Sequence, residues 1–215
     1  MVFVYPYNNR TDQHFEILQS IALVKAVYPD AVIYTVGKEV PGILCLKLDQ
    51  YNNIRGCDVT NKMLHFARTI GGDFIYMNKD FFITKNWQSY VSIHAGPIVI
   101  NPLHATHTNV AQNNTLEFLK HNKFTAYNFE THTPVLMDSQ KLIELFDNIN
   151  WQSDNHFIKS IYCNVYQVPS KQGVNSKVSV PSIDKAKEFI SINGCFSTGD
   201  NFWQKDTVAW IKSLI

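Results

Sequence analysis

The stretch DFIYMNKDFFI, residues 73–83, carries the pattern that decides the fold. Its first residues are an apolar run that ends at Met77 and is typical of a buried strand. The polar residues Asn78, Lys79 and Asp80 interrupt the run before apolar residues resume. Two glycines precede the stretch, where a helix would end. The sequence therefore predicts a strand that ends in a polar turn.

Upstream of this strand, strand-like and helix-like patterns alternate. Residues 2–5 and 31–36 are β-branched and aromatic runs, and residues 43–48 give a third short strand. Apolar residues recur at helical spacing over residues 13–28. A second helix is predicted to begin at Asp58, as its N-cap, and to end at the paired glycines. This order predicts an α/β fold with a mixed, mostly parallel central sheet flanked by helices.

The second half of the chain is less regular. Asp138 occupies the N-cap position before a helical pattern. Residues 169–182 are rich in Ser, Lys and Pro, and we predict an exposed or mobile loop. No repeat or linker interrupts the chain, which favours one domain over residues 1–215. The predicted elements are strands at 97–101, 134–137 and 162–168, part of a helix at 115–121, and helices at 139–149, 154–161 and 202–214.

The composition excludes several classes of protein. The 215 residues include 19 Lys and Arg against 18 Asp and Glu, so the chain lacks the overall positive charge of a protein that coats nucleic acid. No apolar run approaches the roughly 20 residues that cross a bilayer, and the first residues lack the features of a signal peptide. We therefore expect a cytoplasmic protein without a membrane segment. The four widely spaced cysteines are expected to be free thiols.

Asp80 is the first candidate for chemistry. A carboxylate at the carboxyl end of a buried strand must be solvated, paired or bound to a metal, because an isolated buried charge is costly. Hard divalent cations prefer such oxygen ligands. The alternative is an ordinary exposed turn that contains Asn and Asp.

Glu130 and His132, in the segment FETHTP at 129–134, are the second candidates. They are two positions apart, so they project to the same side if the segment is extended. A glutamate that acts as a base beside a histidine suits a transfer reaction. The alternative is a salt-bridged pair on an edge strand.

The segment FSTGD at 196–200 is the third candidate. Ser197, Thr198 and Asp200 are suited to cap the final helix. A role in chemistry would require Asp200 to lie near Asp80. The sequence lacks the motifs G-x-G-x-x-G, G-x-x-x-x-G-K-[ST], G-x-S-x-G and H-E-x-x-H, which argues against Rossmann dehydrogenases, P-loop enzymes, α/β-hydrolases and zincins.

In their order along the chain, these motifs resemble those of small nucleotide-sugar glycosyltransferases with the GT-A fold, in particular sugar transferases encoded by bacteriophage and bacterial genomes. The resemblance covers roughly residues 1–165 and 190–205, although each motif is short. It implies a single-domain, Rossmann-like GT-A fold. The segments that carry it are FVYPYNNR at 3–10, Arg55 before a helix that contains Asn61, YMNKDFF at 76–82, FETHTP at 129–134 and FSTGD at 196–200.

The resemblance also implies a mechanism. A divalent cation, Mn²⁺ or Mg²⁺, held by Asp80 would bridge the diphosphate of the sugar donor. Glu130 would be the base that deprotonates the acceptor hydroxyl, with His132 orienting it or joining the metal shell, and Asp200 is the rival base. Lys79 replaces the first carboxylate of the family's D-x-D turn, and its charge beside the diphosphate would lower the need for a metal.

The implied donor site lies beyond the first strand. Tyr5, Tyr7 and Arg10 would hold the nucleobase and ribose, and Arg55 and Asn61 would position them or the phosphates. The full set implied for nucleotide-sugar binding is Tyr5, Tyr7, Arg10, Arg55, Asn61, Asn78 and Lys79.

The acceptor is less defined than the donor. Phage enzymes of this kind suggest a hydroxymethylated base in DNA, with phosphate contacts from Lys171 and Lys177. The alternatives are a transferase acting on a surface glycan, a sugar-phosphate transferase of the capsule-synthesis type, and a catalytically decayed module that binds nucleotide sugars. No feature of the sequence indicates an obligate protein partner.

Overall fold

The computed structural model describes residues 1–8, 14–100 and 107–215. Within these ranges the chain forms ten strands and seven α-helices. In chain order they are β1 (Val2–Tyr7), α1 (Phe15–Val27), β2 (Val32–Gly37), β3 (Leu44–Lys47), α2 (Arg55–Thr69), β4 (Asp73–Tyr76), β5 (Phe81–Ile83), β6 (Ser92–His94), α3 (His107–His121), β7 (Val135–Asp138), α4 (Ser139–Asp147), α5 (Ile158–Val165), β8 (Ser170–Gln172), β9 (Lys177–Val178), α6 (Ile183–Asn193), β10 (Cys195–Thr198) and α7 (Lys205–Lys212).

The central sheet has five strands in the order β3-β2-β1-β4-β7. The strands β3, β2, β1 and β4 are parallel to one another, and β7 pairs antiparallel with β4. This arrangement confirms the predicted α/β fold with a mixed, mostly parallel sheet. The strand β1 occupies the middle, which explains why Phe3, Val4 and Tyr5 are fully buried.

A second, smaller sheet contains β5, β10 and β9. Side chains of this sheet and of α7 form a separate hydrophobic cluster, which includes Phe82 of β5, Phe196 of β10 and Ile211 of α7. The helix α1 packs into both clusters, because its Ile21 belongs to the main cluster and its Leu23 to the smaller one. The polar turn between β4 and β5 therefore lies where the chain passes from one sheet to the other.

The local predictions differ from the structure at several elements. Residues 162–168, predicted as a strand, contain the end of α5. In the predicted strand 97–101, Pro97 forms one isolated bridge with Tyr127, and residue 101 lies outside the described residues. The stretch 169–182, predicted as a loop, contains β8 and β9.

The two predicted helix caps have different outcomes. Asp138 caps α4 as predicted, since its carboxylate accepts a hydrogen bond from the Lys141 backbone N–H at 2.7 Å. Asp58 is not the N-cap of α2, because the helix already begins at Arg55 and Asp58 lies in its first turn. Its carboxylate instead forms an ion pair with Lys62, one turn later. In the described parts of the chain, no helix has both the length and the apolar character needed to cross a bilayer.

Candidate active site

The sheet forms a crevice where β1 and β4 lie side by side. From β1 the chain passes through α1 to β2 on one side, whereas β4 lies on the other side. In open parallel sheets, ligands bind beyond the carboxyl ends of strands at such a reversal of strand order. The residues that follow β4, from Met77 to Asp80, lie at this edge.

The polar turn after β4 is held by hydrogen bonds from three segments. The Tyr76 hydroxyl donates to Asn78 Oδ1 at 3.0 Å. Asp80 Oδ2 accepts from Ser197 Oγ at 2.8 Å and from Lys177 Nζ at 3.3 Å. The backbone N–H of Thr198 donates to the Asp80 carbonyl at 3.1 Å. The FSTGD segment thus contacts the turn through β10 and does not cap α7, whose N-cap is Gln204.

The segment that contains Glu130 and His132 is shaped by buried threonines and an Asn. The Glu130 backbone N–H donates to Asn128 Oδ1 at 2.9 Å. The Thr131 hydroxyl bonds with the Ile93 carbonyl at 3.0 Å and with the Thr133 hydroxyl at 2.9 Å. These contacts hold His132 at a φ of 54°, a left-handed conformation that few non-glycine residues adopt. Such backbone strain is concentrated at functional sites in proteins.

The hydrogen bonds of Asn175 define the protonation of His132. Asn175 Oδ1 accepts from the Lys177 backbone N–H at 3.1 Å, so it is the oxygen that lies 2.9 Å from His132 Nδ1. The Nδ1 atom must therefore carry the proton, and Nε2 of the neutral ring is an acceptor. Burial and the ammonium groups of Lys159 and Lys177 lower the pKa of His132 to about 4, although Asp80 opposes the shift. The ring is neutral at pH 7.

Lys159 is a functional candidate that the sequence analysis missed. It lies in the first turn of α5 with its side chain almost fully buried. Its Nζ donates to the Thr133 carbonyl at 3.2 Å, lies 3.8 Å from Glu130 Oε2 and is 5.3 Å from the centre of the Phe81 ring. A lysine within the apolar sequence IKSIYC was the available signal, because buried lysines require a nearby anion or acceptor.

These segments enclose a cavity of about 440 Å³ at the crevice. It brings together four of the predicted site residues, Arg55, Asn78, Glu130 and His132, which come from three separate segments. His156 also lines it; burial lowers the pKa of this histidine, and its Nδ1 makes no hydrogen bond to any described residue. The other polar residues of the lining are Thr108, Gln112, Asn128, Asn155, Lys159 and Asn175.

The two tyrosines predicted to hold the nucleobase are core residues, which corrects that assignment. Tyr5 is fully buried, and its hydroxyl is hydrogen-bonded to Ser20 at 2.9 Å. Tyr7 is buried, and its hydroxyl lies 3.1 Å from His14 Nδ1. Both point into the packing around β1, so neither ring offers a face to a ligand. Arg10 lies outside the described residues.

Four further predicted residues lie apart from the cavity lining, and one of them is Asp80, the predicted metal ligand. Lys79 forms an ion pair with Glu16 of α1 at 2.7 Å, so its charge is directed away from the cavity. Asn61 is on α2 but does not line the cavity. Asp200 is exposed in a short 3-10 turn, and Ser197, three residues earlier, contacts Asp80 in its place.

The atoms around Asp80 can be compared with the ligands that the divalent cation implied by the resemblance would require. Such cations bind several carboxylate, carbonyl or water oxygens. Asp80 Oδ2 is instead surrounded by donors, one of which is the Lys177 ammonium. Within the described ranges, no three His, Cys, Asp or Glu side chains are grouped so that they could hold a metal ion. The donor set therefore does not fit a divalent cation.

The sequence matches no protein-family model, and no curated protein matches it. Its fold is similar to that of the galactosyltransferase LgtC, solved with donor and acceptor sugar analogues: the TM-score is 0.54 at 11% identity over 100% of this chain and 95% of LgtC. An active-site mutant of LgtC gives the same values. The glycosyltransferase GlyE of Streptococcus pneumoniae matches with a TM-score of 0.47 at 9% identity, over 100% of this chain and 60% of GlyE. The similarity to LgtC confirms the predicted GT-A type of fold.

Proposed function

We propose that this protein is a glycosyltransferase that moves a sugar from a nucleotide-sugar donor to an acceptor hydroxyl. The observation that carries the proposal is the convergence of Asn78, Glu130, His132 and Arg55 on one cavity at the crevice of the sheet. Cavities of several hundred Å³ with a few converging polar groups are the usual form of small-molecule sites. The similarity of the fold to a sugar transferase supports the same assignment.

In the proposed reaction, the acceptor oxygen forms a bond to C1 of the sugar while the bond from C1 to the phosphate oxygen breaks. The acceptor proton passes to the Glu130 carboxylate, and the nucleoside diphosphate leaves with the electron pair of the broken bond. Glu130 suits the role of base because its carboxylate lines the cavity and is partly exposed to it, with Lys159 Nζ 3.8 Å away. A positioned general base of this kind contributes about 10²- to 10⁴-fold to a rate.

The other lining residues have binding roles in this proposal. Asn78 is oriented by the Tyr76 hydroxyl, so its amide N–H groups remain able to donate to a ligand. Neutral His132 and His156 offer ring nitrogens to sugar hydroxyls. Arg55 is an exposed residue of the lining, on the first turn of α2, and its guanidinium suits the phosphates or the ribose.

The test is the release of nucleoside diphosphate from a panel of nucleotide sugars, measured by chromatography with and without candidate acceptors. Glu130→Gln should lower kcat by about 10²- to 10⁴-fold and leave donor affinity nearly unchanged. Glu144→Gln, on the exposed face of α4, is the matched control and should behave as the wild type. Normal turnover in Glu130→Gln would move the role of base to His132, because the rival base Asp200 lies apart from the cavity. Release of a nucleoside monophosphate would identify a sugar-phosphate transferase instead.

The acceptor is proposed to carry a free hydroxyl, and the narrower hypothesis of a hydroxymethylated base in phage DNA rests on the resemblance. Of the two lysines expected to contact phosphates, Lys171 is exposed on β8, whereas Lys177 is bound to Asp80. Sugar transfer to duplex DNA that contains 5-hydroxymethylcytosine, compared with transfer to oligosaccharides, distinguishes DNA from a surface glycan. A cytoplasmic location remains a prediction.

A further inference from the structure

The ion pair at Asp80 places a protein cation where the resemblance implies a metal. Lys177 Nζ uses one of its three N–H groups for Asp80 Oδ2, at 3.3 Å, and its side chain is 33% exposed. Its backbone N–H bonds to Asn175, which lines the cavity. Lys177 and Asp80 themselves do not line the cavity; the contact with Asn175 places Lys177 at its rim, and the ammonium group has two N–H groups beyond the Asp80 contact.

Lys159 places a second cation inside the same cavity. Its side chain is only 2% exposed, and Glu130 Oε2 at 3.8 Å is too distant for a hydrogen bond. The one hydrogen bond recorded for its Nζ in the described ranges goes to the Thr133 carbonyl. A buried ammonium with incomplete hydrogen bonding gains most from a bound anion, because an unpaired buried charge is costly.

The two ammonium groups act on the same point of the cavity. The Phe81 ring centre lies 5.3 Å from Lys159 Nζ and 6.5 Å from the centre of the His132 ring. Asn175 Oδ1 accepts from the Lys177 backbone N–H at 3.1 Å and lies 2.9 Å from His132 Nδ1, so both lysines are close to this ring, and both lower its pKa. Lys79, the lysine in the turn itself, is bound to Glu16 and does not take part.

We propose that Lys159 and Lys177 bind the diphosphate of the donor in place of a divalent cation, with Asp80 as the counter-ion that holds Lys177 at the rim. This inference rests on the proposed function and specifies its donor site. When the bond from C1 to oxygen breaks, the diphosphate gains negative charge, and the two ammonium groups offset it. Preorganised positive groups of this kind stabilise a leaving group as a Lewis acid would.

The experiment measures the binding of the 5′-diphosphates of uridine, cytidine, guanosine and adenosine by calorimetry, once with EDTA and once with Mn²⁺. At least one diphosphate should bind with similar affinity in both conditions. Lys177→Met should weaken that binding by about 10- to 100-fold, the size of one charge-assisted hydrogen bond. Lys159→Met should have an effect of the same size. Lys187→Met, on the exposed face of α6, is the matched control and should not change the affinity.

Asp80→Asn distinguishes a lysine site from a metal site by its effect on the affinity for the diphosphate in EDTA and in Mn²⁺. If Asp80 were a metal ligand, the substitution would abolish the gain in affinity from Mn²⁺. In the lysine site Asp80 positions Lys177 without contacting the ligand, so the substitution should weaken binding no more than Lys177→Met does, and by the same factor in EDTA and in Mn²⁺. Thermal unfolding of each variant shows whether it is folded. If Lys159→Met does not fold, Lys177→Met and Asp80→Asn carry the test, since Lys177 is partly exposed.

Two outcomes overturn the proposal, and they are distinguishable. Binding that requires Mn²⁺ and is unaffected by Lys177→Met would refute the lysine site while leaving the proposed glycosyltransferase intact. Absence of binding for all four diphosphates in both conditions would refute the donor site, and the proposed function with it.

Discussion

Lys62 and Asp58 form a buried ion pair one turn apart on α2. Both side chains are at most 4% exposed. Asn8, just beyond β1, donates to Asp58 Oδ2 at 2.7 Å and accepts from Lys62 Nζ at 2.6 Å. The Tyr51 backbone N–H donates to the other Asp58 oxygen at 2.9 Å. Asp58 and Lys62 of α2 thereby hold Asn8, where the chain leaves β1 at the crevice.

We expect Lys62→Met to lower the free energy of unfolding by about 3–5 kcal/mol, because it leaves the Asp58 carboxylate buried without its cation. Urea denaturation followed by circular dichroism measures the change. Lys187→Met is the control: this lysine is exposed on α6, and its replacement should change stability by less than about 0.5 kcal/mol. Equal effects of the two substitutions would contradict a structural role for the pair.

The pKa of His132, lowered to about 4, makes the stability depend on pH. Between about pH 6.5 and pH 4 the unfolded state binds a proton at this ring and the folded state does not. The free energy of unfolding therefore falls as the pH falls through this range, and the contribution is constant above pH 6.5. Burial and the charges of Lys159 and Lys177 keep the ring neutral, and the charge of Asp80 opposes them.

We expect His132→Gln to flatten the dependence of stability on pH between pH 6.5 and 4, relative to the wild type. Denaturant titrations at a series of pH values measure the slope. His121→Gln removes an exposed histidine at the end of α3, and its slope should match that of the wild type. An unchanged slope in His132→Gln would show that this ring titrates normally in the folded protein.

At the scale of elements, the junction between α6 and β10 places Ser197 against Asp80. Gly194 ends α6 with a φ of 72°, and its N–H bonds to the Ile190 carbonyl. A Cβ at this position would lie 2.5 Å from the Trp87 backbone nitrogen. Glycine is therefore required both for the left-handed conformation and for the close approach of the two backbones.

We expect Gly194→Ala to destabilise the protein by more than the roughly 1 kcal/mol that a left-handed alanine costs, because the backbone at Trp87 must also move. Gly42→Ala isolates the first effect, since Gly42 has a φ of 76° and no atom within 4 Å of an added Cβ. Thermal unfolding of both variants gives the comparison. Equal shifts in Tm would show that the clash is relieved without cost.

Elements encoded by local patterns could be predicted from the sequence, whereas long-range contacts could not. The apolar spacing of α1 and the cap at Asp138 depend on neighbouring residues, so their signals are short-range. In contrast, residues 162–168 are apolar enough for a strand or a buried helix, and packing decides between them.

The same distinction applies to the candidate site. A shared site for Asp80, Glu130 and His132 is what the resemblance implies, whereas the residues alone predict only that Glu130 and His132 project to the same side of an extended segment. The contacts of Asp80 with Lys177 and Ser197 join residues 97 and 117 positions apart, and no local pattern encodes them. For Tyr5 and Tyr7, aromatic residues near a strand end fit a ligand site or a core equally well, and the structure places them in the core.

At the scale of the whole molecule, the two hydrophobic clusters share one helix. The helix α1 contributes Ile21 to the main cluster and Leu23 to the smaller one. The hydroxyl of Ser20, the residue before Ile21, donates a hydrogen bond to the Phe81 carbonyl of β5. Because one helix packs into both clusters, neither can lose its packing without disturbing the other. We therefore propose that residues 1–215 unfold as a single domain.

We expect circular dichroism and tryptophan fluorescence to report one coincident unfolding transition. Ile211→Ala, a fully buried residue of the smaller cluster, should lower the stability seen by both probes equally, by about 2–5 kcal/mol. Ile192→Ala is the exposed control and should have an effect of less than about 0.5 kcal/mol. A separate early transition in Ile211→Ala would show that the smaller cluster is an independent unit.

The distance in sequence between Asp80 and Ser197 has a consequence for biosynthesis. At translation rates of about 5–20 residues per second, the 117 residues between them take roughly 6 to 23 seconds to be added. Throughout that interval the nascent chain carries Asp80 without its hydroxyl donor, and Lys177 arrives only near the end. The hydrogen bonds that hold the Asp80 carboxylate therefore form only after the chain has been synthesised through β10.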